Sequence, residues 1–292
     1  MFTGTYTAIV TPFKNGKIDE TALKRLIGIQ VRGGVDGIVP VGTTGESPTV
    51  DYDEHIHIIA LSVKFAAGKI KVLAGTGGNS TSEAILLTQR AEKAGADGSL
   101  QVAPYYNKPS QEGLFQHFCE VARCTRLPIV LYSIPGRCGI EIGVDTVKRL
   151  AKQCRNIICI KEAGGNADRV SQLRAALGPR FEIMCVDDSL TLPFMAVGAQ
   201  GVISVASNVI PRQVAQMVKA YAACSLGAAL KIHQKYYPLF KDLFIETNPV
   251  PVKAVLAMLG QVEEEYRLPL VPMSAKNREV LRATMKAVGL LR

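Results

Sequence analysis

Asn156-Ile157-Ile158-Cys159-Ile160-Lys161 is an apolar run that ends in an amine. Ile157 and Cys159 would face one side of a strand, and Ile158 and Ile160 the other. Neither side suits water, so the run reads as a parallel strand covered on both faces. Similar runs, rich in Ile and Val, recur at 5–10, 36–41, 70–75, 97–102, 128–132, 181–186 and 200–205. Amphipathic stretches of helical period lie between them. In 80–94, Ala84, Leu87, Ala91 and Ala94 share a helical face, Ser80 and Glu83 are spaced as a capping box, and Gly95 ends the helix. A phrase of small residue-Gly-small residue-Asp/Gln-Gly precedes three of the strands: Gly33-Gly34-Val35-Asp36-Gly37, Ala94-Gly95-Ala96-Asp97-Gly98 and Val197-Gly198-Ala199-Gln200-Gly201. It reads as a recurring helix-to-strand turn.

Eight strands alternating with eight helices predict an α/β fold, a TIM (β/α)8 barrel, over residues 1–225. The rival is a doubly wound sheet. It would carry a phosphate fingerprint after the first strand, where Thr11-Pro12-Phe13 cannot cradle a pyrophosphate. Only helical patterns follow, at 226–243, 250–260 and 274–288, which predicts a C-terminal helical region, 226–292, packed on the barrel.

The composition, 48% hydrophobic and 20% charged over 292 residues, is that of a globular protein. No run reaches the ~18 apolar residues of a transmembrane helix. The opening Met1-Phe2-Thr3-Gly4 lacks the basic and apolar regions of a secretory signal. Seven cysteines, an odd number without a Cys-x-x-Cys pair, fit a reducing cytoplasm and give no zinc framework. A cytoplasmic location and no metal are therefore expected. The net charge is +9, but the basic residues are scattered, and the densest stretch, Lys148-Arg149-Leu150-Ala151-Lys152, reads as one solvated helix face. With no Trp and no interleaving of aromatic and basic residues, nucleic acid is not the expected partner. A bias toward small anionic substrates fits better.

TIM-barrel chemistry sits at the carboxyl ends of the strands. Lys161 falls there. Burial disfavours the charged amine, and a neutral amine is the nucleophile that forms Schiff bases. The competing reading is a surface lysine paired with Glu162. Strand two runs into Gly42-Thr43-Thr44-Gly45-Glu46, whose glycines and hydroxyls suit a tight turn around a carboxylate, or a simple turn and cap. Strand three runs into Gly75-Thr76-Gly77-Gly78-Asn79-Ser80, which lacks the setting of a dinucleotide site. Strand four ends in Pro104-Tyr105-Tyr106-Asn107 and strand five in Tyr132-Ser133-Ile134-Pro135-Gly136-Arg137. These phenols can relay protons, and the Arg137 fork can hold a carboxylate. Asp187-Asp188 after strand seven reads as a helix cap at Asp188 rather than a metal site. His55 and His57 do not share a helix face, which argues against a metal pair. His117 and His233 lie within helical patterns.

The ordered set Gly42-Thr43-Thr44-Gly45-Glu46, Pro104-Tyr105-Tyr106-Asn107, Tyr132-x-Ile134-Pro135-Gly136-Arg137 and Ile160-Lys161-Glu162-Ala163 closely resembles the dihydrodipicolinate synthase family. That family is one of the pyruvate-dependent class I aldolases and lyases, with N-acetylneuraminate lyase. The resemblance runs from Thr11-Pro12-Phe13 through Gly201-Val202-Ile203-Ser204 to Asn248-Pro249-x-Pro251-Val252-Lys253. It implies a lyase that condenses pyruvate with L-aspartate 4-semialdehyde to form 4-hydroxytetrahydrodipicolinate, in lysine biosynthesis by the diaminopimelate route. Lys161 would form the Schiff base and no cofactor is implied. The Thr43-Thr44 turn would hold the pyruvate carboxylate. Tyr132, Thr43 and Tyr106 would relay protons, Tyr106 coming from a neighbouring subunit. Arg137 would hold the semialdehyde carboxylate, and the Ile203 carbonyl would face the site. A homotetramer, a dimer of dimers, is implied. Ser47, His55, Asn79, Glu83 and Tyr105 match the residue types of the inhibitory L-lysine pocket of lysine-inhibited members, while Pro48 and Tyr52 depart from its commonest pattern.

Other departures are Ser133 for Asn, Cys138 for Thr, Val186 for Gly, and Gly164 for Ser or Thr. A β-branched Val186 would be strained if that position needs a positive φ. The alternative function is a related lyase acting on a sialic acid or a 2-keto-3-deoxy sugar acid, against which Thr44 beside Thr43 and Arg137 after Ile134-Pro135-Gly136 speak. A pyridoxal-phosphate enzyme would need a glycine-rich phosphate cup after strands seven and eight, and none is apparent.

Overall fold

The eight apolar runs form eight parallel strands that close on one another in the computed structural model, which describes residues 2–291. They are β1 (Gly4–Ala8), β4 (Gly37–Val39), β5 (Lys71–Gly75), β6 (Gly98–Val102), β7 (Ile129–Ser133), β8 (Ile157–Glu162), β9 (Glu182–Cys185) and β10 (Gly201–Ser204). The barrel runs β1-β10-β9-β8-β7-β6-β5-β4 and closes through the pairing of β4 with β1. The intervening β2 (Phe13–Lys14) and β3 (Lys17–Ile18) make a small antiparallel hairpin outside it. Its turn, Asn15-Gly16, has both residues at positive φ, the conformation for which Asn-Gly is suited.

The barrel helices are α1 (Glu20–Gly33), α2 (Tyr52–Ala66), α3 (Thr81–Lys93), α4 (Gln111–Arg123), α5 (Pro135–Cys138), α6 (Val144–Gln153), α7 (Ala167–Leu177), α8 (Thr191–Ala196) and α9 (Pro211–Ala222). Three more follow: α10 (Leu226–Asp242), α11 (Val250–Met258) and α12 (Ala275–Ala287). Helix α10 packs on α9 and α12. Among the described residues no helix is long and apolar enough to cross a membrane. Strand side chains alternate between one apolar layer shared with the helices and a second cluster inside the barrel, to which Tyr6, Leu73, Val130, Tyr132 and Met184 belong together with Phe2.

The recurring helix-to-strand phrase has a physical reason. Its last glycine opens a strand where a side chain has no room. A Cβ on Gly37 would lie 2.2 Å from Tyr6, on Gly98 2.4 Å from Phe2, and on Gly201 1.9 Å from the Gly4 carbonyl. The polar residue before that glycine ties down a neighbouring strand. Asp36 accepts from the Thr5 amide, Asp97 from the Val72 amide and Gln200 from the Ile183 amide. The phrase thus seals the amino-terminal end of the barrel and leaves the other end open.

Ser80 sits at the N-cap of α3, but its side chain caps no amide and bonds Ser82 instead, so the capping box with Glu83 does not form. The cap after β9 is Asp187, which accepts from the Ser189 amide. Asp188 is fully buried and accepts from the Ser204 hydroxyl at 2.5 Å and from the Val205 and Ala206 amides. It clamps the ends of β9 and β10 together.

Candidate active site

Lys161 is the penultimate residue of β8, flanked in register by Tyr132 on β7 and Met184 on β9. It is 5% exposed, and its Nζ lies 4.0 Å from the centroid of the Tyr132 ring. Alternation sends the next side chain, Glu162, to the opposite face of the strand. There it binds Arg169 at 2.8 Å and the Gly164 amide at 2.7 Å. The surface pair of Lys161 with Glu162 therefore does not exist. Burial, helped by the positive charge of Arg137, lowers the Lys161 pKa from 10.5 to about 7. Half of these amines are neutral near neutral pH.

Tyr132 is pushed the other way, up to about 12, by burial; the Thr43 side-chain hydrogen bond and the Arg137 charge oppose that shift. It is a neutral phenol beside a partly neutral amine. Thr43, Tyr132, Arg137 and Cys138 line one cavity of about 240 Å³ at the barrel mouth, with Gly42 and Tyr105. Burial raises the Cys138 pKa to about 11, so its sulfur is a neutral thiol.

The Gly42–Glu46 turn is closed by the Gly45 and Ser47 amides on the Gly42 carbonyl and the Glu46 amide on the Thr43 carbonyl. Thr44 accepts from the Asn248 amide nitrogen at 3.0 Å, and the Asn248 carbonyl accepts from Arg137 at 3.1 Å. One C-terminal residue thereby joins the turn to the arginine. Ile203 is buried on β10 inside the barrel, in the cluster that holds Tyr132 and Met184. Val186 does not take a positive φ, so its branched side chain carries no backbone strain.

Tyr106 stands apart. It is 91% exposed at φ +71° and does not line the cavity of its own chain. Ser47, His55, Glu83 and Tyr105 line an adjacent cavity of about 340 Å³, which shares Ser47, Pro48, Gly77 and Tyr105 with the first. Glu83 accepts from the Tyr52 hydroxyl there at 2.6 Å. His55 bonds the Gly75 carbonyl at 2.7 Å, and burial lowers its pKa. Asn79 is not in that lining; its carbonyl accepts from Asn107. Sequence reasoning assigned no role to Asn248, nor to Glu46 and Lys253, which pair in the interior 207 residues apart. The only signal was their presence in two of the ordered motifs.

Residues 1–288 match the model of the dihydrodipicolinate synthetase family. The 4-hydroxy-tetrahydrodipicolinate synthase of Aquifex aeolicus is 51% identical over 290 residues, 99% of each chain. The structure of the 4-hydroxy-tetrahydrodipicolinate synthase of the thermoacidophilic methanotroph Methylacidiphilum fumariolicum SolV superposes with a TM-score of 0.98 at 56% identity, covering 99% of this chain and 96% of that one. A crystal structure of DHDPS from Cyanidioschyzon merolae with lysine bound superposes with a TM-score of 0.96 at 41% identity, over 99% of each chain.

Proposed function

The chain belongs to the dihydrodipicolinate synthetase family, and we propose that it condenses pyruvate with L-aspartate 4-semialdehyde to form 4-hydroxytetrahydrodipicolinate. The observation that carries this is Lys161: a buried amine, without a carboxylate partner among the described residues, set against the Tyr132 phenol at the barrel mouth. The neutral amine attacks the ketone carbon of pyruvate, whose carboxylate rests on the Thr43-Thr44 turn. Tyr132, in contact with Thr43, delivers the proton with which the hydroxyl leaves as water. Loss of a methyl proton gives the enamine, whose carbon attacks the aldehyde of the second substrate. That substrate's own amine then adds to the imine carbon, releases Lys161 and closes the ring. Per cycle one water is lost and the lysine is regenerated. Arg137 holds the carboxylate of the semialdehyde, and the Ile203 carbonyl faces the reacting centre.

A single chain leaves Tyr106 in solvent. In this reading it completes the proton relay of a neighbouring copy, within a homotetramer built as a dimer of dimers. The division into a barrel, 1–225, and a helical region, 226–292, and a cytoplasmic location are part of the same proposal. So is inhibition by L-lysine in the second cavity, with Glu83 receiving its ammonium and Ser47, His55 and Tyr105 around it, Asn79 lying outside that lining; the Cyanidioschyzon merolae relative with lysine bound supports this. Coupled assays of pyruvate with L-aspartate 4-semialdehyde and with N-acetylmannosamine, each with and without millimolar L-lysine, test the substrate and the inhibitor. Turnover of the semialdehyde alone, slowed by lysine, is expected. Turnover of the sugar alone would reverse the substrate reading, and rates unmoved by lysine would remove the inhibitor.

A further inference from the structure

Lys253 of α11 and Glu46 form an ion pair with no exposed side-chain surface, Nζ to Oε1 2.5 Å. Taking two charges out of water carries a large desolvation penalty, and well-packed apolar residues often serve as well. Stability is therefore a weak reason for keeping the pair, and its location offers a better one. Glu46 is the last residue of the threonine turn and sits at φ +57°, while Val41, just before the turn, sits at φ +47°. Such backbone is strained for a residue other than glycine and persists only where the surroundings over-determine it.

The surroundings of Glu46 do so. Beside Lys253, its carboxylate accepts from the Arg267 amide at 3.3 Å, and its carbonyl accepts from the Thr49 amide at 3.0 Å and hydroxyl at 3.1 Å. The Lys253 ammonium is itself boxed in, 4.5 Å from the Phe13 ring centroid and 5.2 Å from that of Tyr266. The residues leading into α11 grip the same turn through the bond of Asn248 to Thr44. One C-terminal segment thus holds the turn at both Thr44 and Glu46.

We propose that the Glu46–Lys253 pair is a positioning device, through which the C-terminal helices fix the Thr43-Thr44 turn in the shape that receives the pyruvate carboxylate. This rests on the reading of that turn as the carboxylate cradle. Both are positioning residues, since their side chains are fully buried and bonded to each other and act on substrate only through the turn.

The test uses the full chain with three substitutions. Glu46→Asp retracts the carboxylate but keeps both charges, Lys253→Met leaves Glu46 buried without its cation, and Lys253→Arg restores a cation. KM for each substrate, kcat and the thermal unfolding temperature are measured, with borohydride trapping of pyruvate on the unsubstituted protein as reference. A displacement near 1 Å can cost up to about 100-fold, so KM for pyruvate is expected to rise about 10- to 100-fold in Glu46→Asp and Lys253→Met, with KM for the aldehyde within about twofold. Lys253→Arg is expected to recover part of the loss. If Lys253→Met does not fold, Glu46→Asp alone decides. Lower unfolding temperatures with an unchanged pyruvate KM would make the pair purely structural and overturn the inference. Absence of a pyruvate adduct on the unsubstituted protein would overturn the underlying reading as well, so the two failures are distinguishable.

Discussion

Lys161 makes a quantitative claim about pH. An amine of pKa 10.5 is neutral in only about 0.03% of molecules at pH 7, whereas one of pKa about 7 is neutral in about half, a gain of roughly 1,500-fold in nucleophile. The perturbation is pH itself, between 6 and 9. The assay is the initial rate of pyruvate trapping on Lys161 by cyanoborohydride, at pyruvate well below saturation. The neutral fraction, and hence the rate, should rise about fivefold from pH 6 to 7 and then level, gaining only about 10% from pH 8 to 9. Tyr132 at about 12 and Cys138 at about 11 stay protonated over that range and leave the curve to the lysine. Because the Arg137 charge contributes to lowering the Lys161 pKa, Arg137→Gln should move the rising limb to higher pH. A rate that climbs about tenfold per unit through pH 9 would show an ordinary exposed amine instead of a buried one.

Replacing Lys161 by Met should abolish trapping and yet stabilise the protein. The folded-state pKa is depressed, so between about 7 and 10.5 the folded state binds fewer protons than the unfolded one, and the penalty is full below about 7. Relief on the order of 4 kcal/mol is expected at pH 7, shrinking toward pH 10, and is read from thermal unfolding at the two pH values. A Tyr132→Phe variant keeps the ring against Lys161 but loses the hydroxyl; kcat should fall by about 10²- to 10⁴-fold with little change in the pyruvate KM. Gly201→Ala places a Cβ 1.9 Å from the Gly4 carbonyl at φ +152°, and should destabilise the barrel by more than about 3 kcal/mol in denaturant titration.

The barrel was legible because its strands are buried on both faces, so each appears as an uninterrupted apolar run such as 156–161. Lys161, Tyr132, Thr43, Thr44 and Arg137 stood out because they break that apolarity at strand ends, and four of them come together through one cavity and the Asn248 link. Contacts between distant segments were not legible. The spacing of Ser80 and Glu83 suits a capping box, but Tyr52, 31 residues before Glu83, offers its carboxylate a hydroxyl at 2.6 Å. Asp187 and Asp188 are alike by composition, and the cap falls to the first only because the second is drawn to the amides after β10. The Asn15-Gly16 hairpin carried a recognisable turn signal, but its strands of two residues are too short for alternation to show. The resemblance gives Tyr106 to the site of a neighbouring subunit, and within its own chain it stands in solvent.

Everything in the proposed cycle depends on covalent bond formation at one amine. Borohydride reduction of the protein with pyruvate, followed by intact mass and peptide mapping, tests it directly. The expected result is a single reduced pyruvyl adduct per chain, located on Lys161 and absent from Lys161→Met. Labelling on another lysine, or no adduct at saturating pyruvate, would contradict it.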